Sequence, residues 1–325
     1  MNILHTLSCR FSIALFLSFV CNAVFAQGYP NKPIKFIVPY APGGVGDLTA
    51  RIVAQKMSEN LGQPVVIDNR PGAGMIAGTE VGAKAEPDGY TMVLTGNGHT
   101  LTYSLFKTLP FDITKDFTHV SSIGFFDLVL FTHPNSGINS VQDLIRLAKA
   151  NPGKVNIGTI NIGSTQNLAG ELFKSMAGID AAVIPYKATA DVITAVASQS
   201  IQVGVEIMAP MMGPIKGGTV KTIATTSNKR FAAFPNVPTV IESGLPGYEA
   251  SSWNGISVPA RTPAAVVERL NKAILFALNS TETKTKMLEM GVDSRGSTPD
   301  EMRDLILSDI KKWRMVIDRA NIARQ

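Results

Sequence analysis

Two short stretches of this chain combine glycine with small polar side chains at points where a strand gives way to a helix. The first is Pro42-Gly43-Gly44-Val45-Gly46-Asp47. Glycines let backbone N–H groups turn toward one point, and the following helix N-terminus adds roughly half a positive charge, so such a loop can hold an anion without Arg or Lys. The same residues also read as a tight strand–helix turn with Asp47 as N-cap, and Asp47 can fix the loop while the free amides hold a ligand. The second stretch is Asn161-Ile162-Gly163-Ser164-Thr165. Ser164 and Thr165 can cap the helix, donate to a carboxylate, or do both. Two such loops in two halves of a molecule can face each other across a cleft and close on a ligand carboxylate.

The patterns that carry catalysis are missing. There is no GxSxG, GxxxxGK, GxGxxG or HExxH. His99, His119 and His133 stand alone without ligand spacing, and His5 belongs to the N-terminal segment discussed below. Missing motifs count against catalysis without excluding it, and the expectation is no catalytic residue, no metal and no cofactor.

The elements that must position the loops alternate strand and helix. Ile34-Lys35-Phe36-Ile37-Val38, bounded by Pro33 and Pro39, reads as a strand, and Leu48, Ile52, Val53 and Met57 fall on one helical face before Gly62. Strands follow at Val65–Ile67 and Thr91–Thr95, with a helix near 75–85 between them, ended by Pro87-Asp88-Gly89. The rhythm restarts after Pro134: a capping box at Ser140–Asp143, a strand at Val155–Thr159 and a helix over 165–177 stopped by Gly178. Further strands are expected at Val183–Tyr186, Ile201–Val205 and Val220–Thr225, and the loop over 231–247 suits a crossing between lobes. Thr298-Pro299-Asp300-Glu301 supplies N-cap, N1 proline and N3 glutamate to a long amphipathic C-terminal helix. This pattern predicts an α/β fold of mixed, mostly parallel sheets flanked by helices.

The N-terminus reads as an address. Arg10 is its only early charge, Phe11 to Val20 is apolar, and Val24-Phe25-Ala26 places small residues at −3 and −1. That describes a signal peptide over 1–26, cleaved after Ala26, since the apolar run is too short to span a bilayer. Val20 stands where a lipoprotein signal needs a small residue, so a freely soluble mature protein is expected. Cys9 and Cys21, the two cysteines of the chain, leave with it, which excludes disulfides and thiolate chemistry. The mature chain keeps 29 basic residues against 25 acidic, dispersed rather than clustered, which argues against nucleic-acid binding. About 299 residues remain, more than one comfortable core, and two domains are expected.

The series Pro39–Asp47 with Ala50-Arg51, Asn69-Arg70-Pro71-Gly72-Ala73-Gly74, Pro87–Thr91 and Asp116-Phe117-Thr118 resembles, in order, the Bug family (TctC-like), the substrate-binding proteins of tripartite tricarboxylate transporters. Gly163-Ser164, Leu168–Phe173, Pro185-Tyr186-Lys187, Phe234–Thr239 and Trp253-Asn254-Gly255 continue the match to cover essentially the whole mature chain. The resemblance implies a two-lobed type II periplasmic binding-protein fold, with one domain from 27–126 and 249–325 and the other from 127–248. It implies a monomeric periplasmic receptor that carries a small organic carboxylate (a dicarboxylate, aromatic acid or acidic amino acid) to a membrane permease. An exported α/β enzyme acting on a carboxylate, or a ligand sensor for a membrane kinase, are the alternatives. Carried over, the ligand-binding residues are Tyr40, Pro42, Gly43, Gly44, Val45 and Asp47 in the first loop, and Gly163, Ser164 and Thr165 in the second. Asn97, Gly98 and His99 are expected to line the cleft as well.

Departures from the family pattern locate specificity. Met75 and Ile76 replace a small and a polar residue, making the cleft bulkier or packing a helix. Asn167 stands where relatives carry His. Gln202 and Glu206 align with two Asp positions, and Glu206 can hold a ligand ammonium or act as a solvated or capping carboxylate.

Overall fold

The computed structural model describes residues 28–325, so the expected signal peptide, with His5, Cys9 and Cys21, lies outside the described residues. Strand β1 (Ile34–Val38) leads through the first glycine loop into helix α1 (Val45–Leu61), and β2 (Val65–Asn69) follows. A single 3-10 turn, Ala73–Met75, opens α2 (Ile76–Ala83); β3 (Thr91–Gly96) then runs directly into α3 (Asn97–Leu105). The buried stripe of α1 is Ala50, Val53, Ala54, Met57 and Leu61. Leu48, expected on that face, is instead at the surface, because with 3.6 residues per turn it projects from nearly the opposite side of the helix to that stripe.

The sixteen-residue strand β4 (Phe117–Thr132) belongs to both halves of the molecule. From Phe117 to Asp127 it pairs antiparallel with β9 (Ser251–Pro259), and from Leu128 onward with β7 (Val203–Ile207) and β8 (Lys221–Thr225). Two register shifts, between His119 and Ser121 and between Ser122 and Gly124, lie in the β9-paired part. Irregularities of this kind sharpen the local twist, which suits a strand that leaves one sheet for another. The strand order is β2-β1-β3-β9-β4-β7-β5-β6, where β5 is Val155–Ile160 and β6 is Ala181–Tyr186. Parallel pairs occupy the two wings, β2-β1-β3 and β6-β5-β7, and antiparallel pairs fill the middle. Strand β7 lies two residues later than expected, Val203–Ile207 rather than Ile201–Val205. Ile201 packs in a core cluster ahead of it, and the Gln202 side chain accepts from Asn156 N–H at 2.8 Å.

Around the second wing lie α4 (Val141–Ala150), α5 (Thr165–Ala177), α6 (Thr189–Ala197) and α7 (Met208–Lys216). Gly178 ends α5 in the left-handed region at φ 58°, as its position after the last apolar residue suggests. The 231–247 segment stays on the second lobe through Val240, and the chain rejoins the first sheet only at Ser251. Helices α8 (Ala264–Asn279) and α9 (Thr281–Glu289) and the short β10 (Val292–Asp293) complete the first lobe. The last helix, α10 (Pro299–Arg319), opens on the expected capping box, Thr298 and Glu301 exchanging hydrogen bonds. Its Met302, Ile306 and Ile310 pack with Ile37, Val93 and Trp253 of the first lobe, while Trp313, Val316 and Ile317 pack with Leu168 and Phe173 of the second. One helix therefore ties both lobes together. Among the described residues no helix is long and apolar enough to cross a membrane.

Candidate functional site

Parallel strands β1, β3, β5, β6 and β7 end where α1, α3, α5, α6 and α7 begin, so several helix N-termini gather at the carboxyl edge of the sheet, the usual place for a ligand in open α/β folds. The first loop is exposed from Ala41 to Gly44. The cap of α1 is Gly44, not Asp47, and it offers no side-chain hydrogen bond. Leu48 N–H, bonded to Gly44 C=O at 2.9 Å, closes the first turn, leaving the amides of Val45, Gly46 and Asp47 unbonded among the described residues.

Asp47 itself is buried and turned away from those amides. Its Oδ2 accepts from Gly43 N–H at 2.8 Å and from Arg51 Nε at 2.9 Å, and its Oδ1 accepts from Asn69 Nδ2 at 2.8 Å. Burial pushes the carboxyl up, but the Arg51, Gly43 and Asn69 contacts outweigh it and hold Asp47 below the usual carboxylate range. Asn69 Nδ2 also donates to Tyr40 C=O at 3.1 Å, so one amide fastens both ends of the loop. Gly43 takes φ 88°, a conformation that glycine supplies without strain. Pro42 and Val45 complete the rim. Burial pushes the Tyr40 phenol up to about 12, so its hydroxyl stays a proton donor. An added Cβ at Gly98 would sit 3.4 Å from that hydroxyl and 2.8 Å from Met75 Cε, which groups Tyr40, Gly98 and Met75 on one side of the site. Ile76 packs inward.

The second loop is fastened differently. Ser164 Oγ donates to Ile160 C=O at 2.8 Å and accepts from Asn167 N–H at 3.1 Å, capping α5. Asn167 Oδ1 accepts from Gly163 N–H at 3.0 Å, and its Nδ2 donates to Thr159 Oγ1 at 3.2 Å. Thr165 Oγ1 donates to Asn97 Oδ1 at 2.7 Å, and Asn97 Nδ2 donates to Asp309 Oδ2 at 3.0 Å, which also accepts from Trp253 Nε1. The side chains of Ser164, Thr165 and Asn167 are thus committed to the fold. The N–H groups of the buried Thr165 and Gln166 make no hydrogen bond among the described residues, and Ile162 beside them is 68% exposed.

His99 is buried against the fold as well. Its Nδ1 accepts from Gly96 N–H at 3.1 Å, which places the ring proton on Nε2, 2.9 Å from Thr79 Oγ1. Burial pulls its pKa down to about 4, so it stays neutral near neutral pH. Glu206 lies beneath the second loop, fully buried: its Oε1 accepts from Gln166 Nε2 and from Ile207 N–H. Burial raises its pKa, against the lowering effect of Thr189, Gln166 and the Ile207 amide.

Gln166, Asn69, Arg51 and Asp309 were not among the sequence candidates. Asn69 and Arg51 lie in recognised motif stretches, whereas nothing in the local pattern marks Gln166 or Asp309. No group of three or more His, Cys, Asp or Glu able to hold a metal occurs among the described residues.

Residues 49–322 match the family described as the tripartite tricarboxylate transporter family receptor, TctC. Protein BugT of Bordetella pertussis is 34% identical over 300 residues, 92% of each chain. A protein of R. palustris solved with adipate is 32% identical with a TM-score of 0.76, over 91% of this chain and 99% of that one. MatC of Rhodopseudomonas palustris, solved with bound malate, is 25% identical with a TM-score of 0.71, over 89% and 100%.

Proposed function

Because the chain belongs to the tripartite tricarboxylate transporter receptor family, the TctC or Bug group of periplasmic solute-binding receptors rather than enzymes, we propose that it captures a small organic carboxylate and delivers it to the membrane subunits of such a transporter. The observation that carries the ligand class is the N-terminus of α1, which no side chain caps. Three amides point from an exposed, glycine-lined turn that Asp47 holds from behind, so a carboxylate can be bound by backbone donors and the helix dipole. The second loop contributes the amides of Thr165 and Gln166. Relatives solved with adipate and with malate support the same chemistry.

Export by the N-terminal 26 residues and action as a monomer in the periplasm belong to this reading. So does a division of the mature chain into 27–126 with 249–325, and 127–248. The chain crosses between the sheets at Asp127–Leu128 and near Ser251, and bending there would let the lobes close on the ligand. Closure then follows from contacts the ligand makes only in the closed state.

A thermal-shift screen of carboxylates, followed by calorimetry on Gly44→Val, tests the reading. Gly44 has φ −74°, and an added Cβ would meet only Ala41 O, at 3.9 Å, so the variant should fold and melt within about 0.5 kcal/mol of the parent. Its branched side chain would stand over the open amides, and affinity should fall at least about tenfold, roughly 1.4 kcal/mol. Full affinity in a folded variant would remove the first loop from the site.

A further inference from the structure

Behind the second loop the fold buries a carboxyl group that it does not neutralise. Glu206, at the end of β7, has no exposed surface, and no Lys, Arg or His forms an ion pair with it among the described residues. Its Oε1 is occupied by Gln166 Nε2 and Ile207 N–H, while Oε2 is buried with no hydrogen-bond partner. Both neighbours are parts of the ligand end of the lobe. Gln166 is the second residue of α5, whose first amides are open, and Thr189, which approaches the carboxyl, is the first residue of α6, whose cap Ala188 offers no side chain.

We infer that Glu206 takes up a proton when the distal end of a ligand bound at the α5 N-terminus is anionic, and so sets the receptor's preference among carboxylates by the charge they carry at that end. The inference rests on the carboxylate reading of the cleft. An ionised Glu206 and a ligand anion at the α5 N-terminus would place two negative charges on either side of Gln166, and with Glu206 fully buried their repulsion is weakly screened. The protonated carboxyl removes that repulsion and turns Oε2 into a donor. A ligand whose distal end is an ammonium favours the ionised carboxylate instead and draws no proton. Linkage makes the coupling reciprocal: what raises the proton affinity of Glu206 on binding must tighten binding as pH falls.

The surroundings leave Glu206 as the group that titrates. Against it lie Val129 of β4, β5 on its other side, Gln166 of α5, Thr189 of α6 and Met208 of α7, none of them ionisable. The ionisable groups nearest along those elements are Asp127, Glu171, Lys174, Asp191 and Lys187 of the β6–α6 loop, and none exerts a charge interaction on it. Burial raises its pKa, outweighing the lowering effect of the Thr189 hydroxyl, the Gln166 amide and the Ile207 N–H.

Calorimetry with straight-chain dicarboxylates from succinate to adipate and with the matched ω-amino acids, in buffers of different ionisation enthalpy, reads the proton directly. Wild-type protein should take up a proton, up to one, with the dicarboxylates and none with the amino acids. Dicarboxylate affinity should rise by up to about tenfold per pH unit on acidification, relative to Glu206→Gln at the same pH, a comparison in which the ligand's own titration cancels. The variant should hold its high affinity at alkaline pH. Dicarboxylate binding without proton uptake, or the same pH dependence in both proteins, overturns the role of Glu206 while leaving the carboxylate reading intact. If no carboxylate of either series shifts the melting curve, the carboxylate reading falls and the linkage with it. The uptake measurement needs no variant, so a failure of Glu206→Gln to fold does not spare the inference.

Discussion

The two glycine loops do the same geometric job by opposite means. The first is pinned from behind by one charged group, Asp47, and leaves its helix amides open at an exposed rim. The second is pinned by neutral groups, Ser164 and Asn167, caps its helix from within, and is stitched to the other lobe through Thr165 and Asn97. The lobes behind them differ in the same sense. The first buries imidazoles that stay neutral, His99 and His119, and the second buries the carboxyl of Glu206. The first loop is thus backed by a buried carboxylate that Arg51 pairs, and the second by a buried carboxyl with no cation partner among the described residues.

Acid should expose that difference most strongly. Burial pulls His99 and His119 from 6.5 down to about 4, with the Arg303 charge adding to the effect at His119. A folded-state pKa below the unfolded one means that the unfolded chain takes up protons first. Stability is then lost as pH falls from about 6.5 toward about 4, by up to roughly 3 kcal/mol for each imidazole. The carboxyls that burial pushes up act the other way, unlike Asp47. Burial pushes Asp127, at the crossing between sheets, up to about 6, so its contribution is greatest at low pH and is lost as pH rises from 3.8 through about 6; Glu206 has the same sign. Replacing His99 with Gln should therefore flatten the acid limb. The stability gap between variant and parent should narrow or reverse by about 3 kcal/mol between pH 7 and pH 4, measured by denaturant melts. Parallel curves would show that the buried imidazole is protonated in the folded protein.

Truncating the two pins compares the loops themselves. Asp47→Ala leaves Gly43 N–H and Arg51 Nε without an acceptor and takes one of two acceptors from Asn69 Nδ2, and should cost about 3 kcal/mol. Asn167→Ala removes only neutral bonds, to Gly163 N–H and Thr159 Oγ1, and should cost about 2 kcal/mol. Equal losses in urea melts would mean that the charge of Asp47 contributes nothing beyond its shape.

Much of this architecture is legible in the sequence where local chemistry decides it. The strand ending at Val38, the Gly178 stop of α5 and the Thr298–Glu301 box each follow from residues within a few positions. Helix α3 is not legible, because the residues it buries, Asn97, His99, Thr100, Thr102 and Ser104, are largely polar and show no apolar period. Strand β4 hides for another reason: its two ends face different sheets, so no single alternation runs through it. The loops are found by their glycines, but which of their side chains point inward is settled by Asn69, Asn97 and, through Asn97, Asp309, partners far away in sequence.

Ser164 makes the finest test of that last point. A serine beside an anion-suited loop can serve the ligand or the helix, and sequence leaves both roles open. Here its oxygen already accepts from Asn167 N–H and its proton already goes to Ile160 C=O, so it has little left to give a ligand. Ser164→Ala should then lower stability by about 1 kcal/mol, as loss of an N-cap does, while ligand affinity changes less than about twofold. Calorimetry and melting on one preparation separate the roles. A large loss of affinity at unchanged stability would return Ser164 to the ligand and make the two loops more alike than their hydrogen bonds suggest.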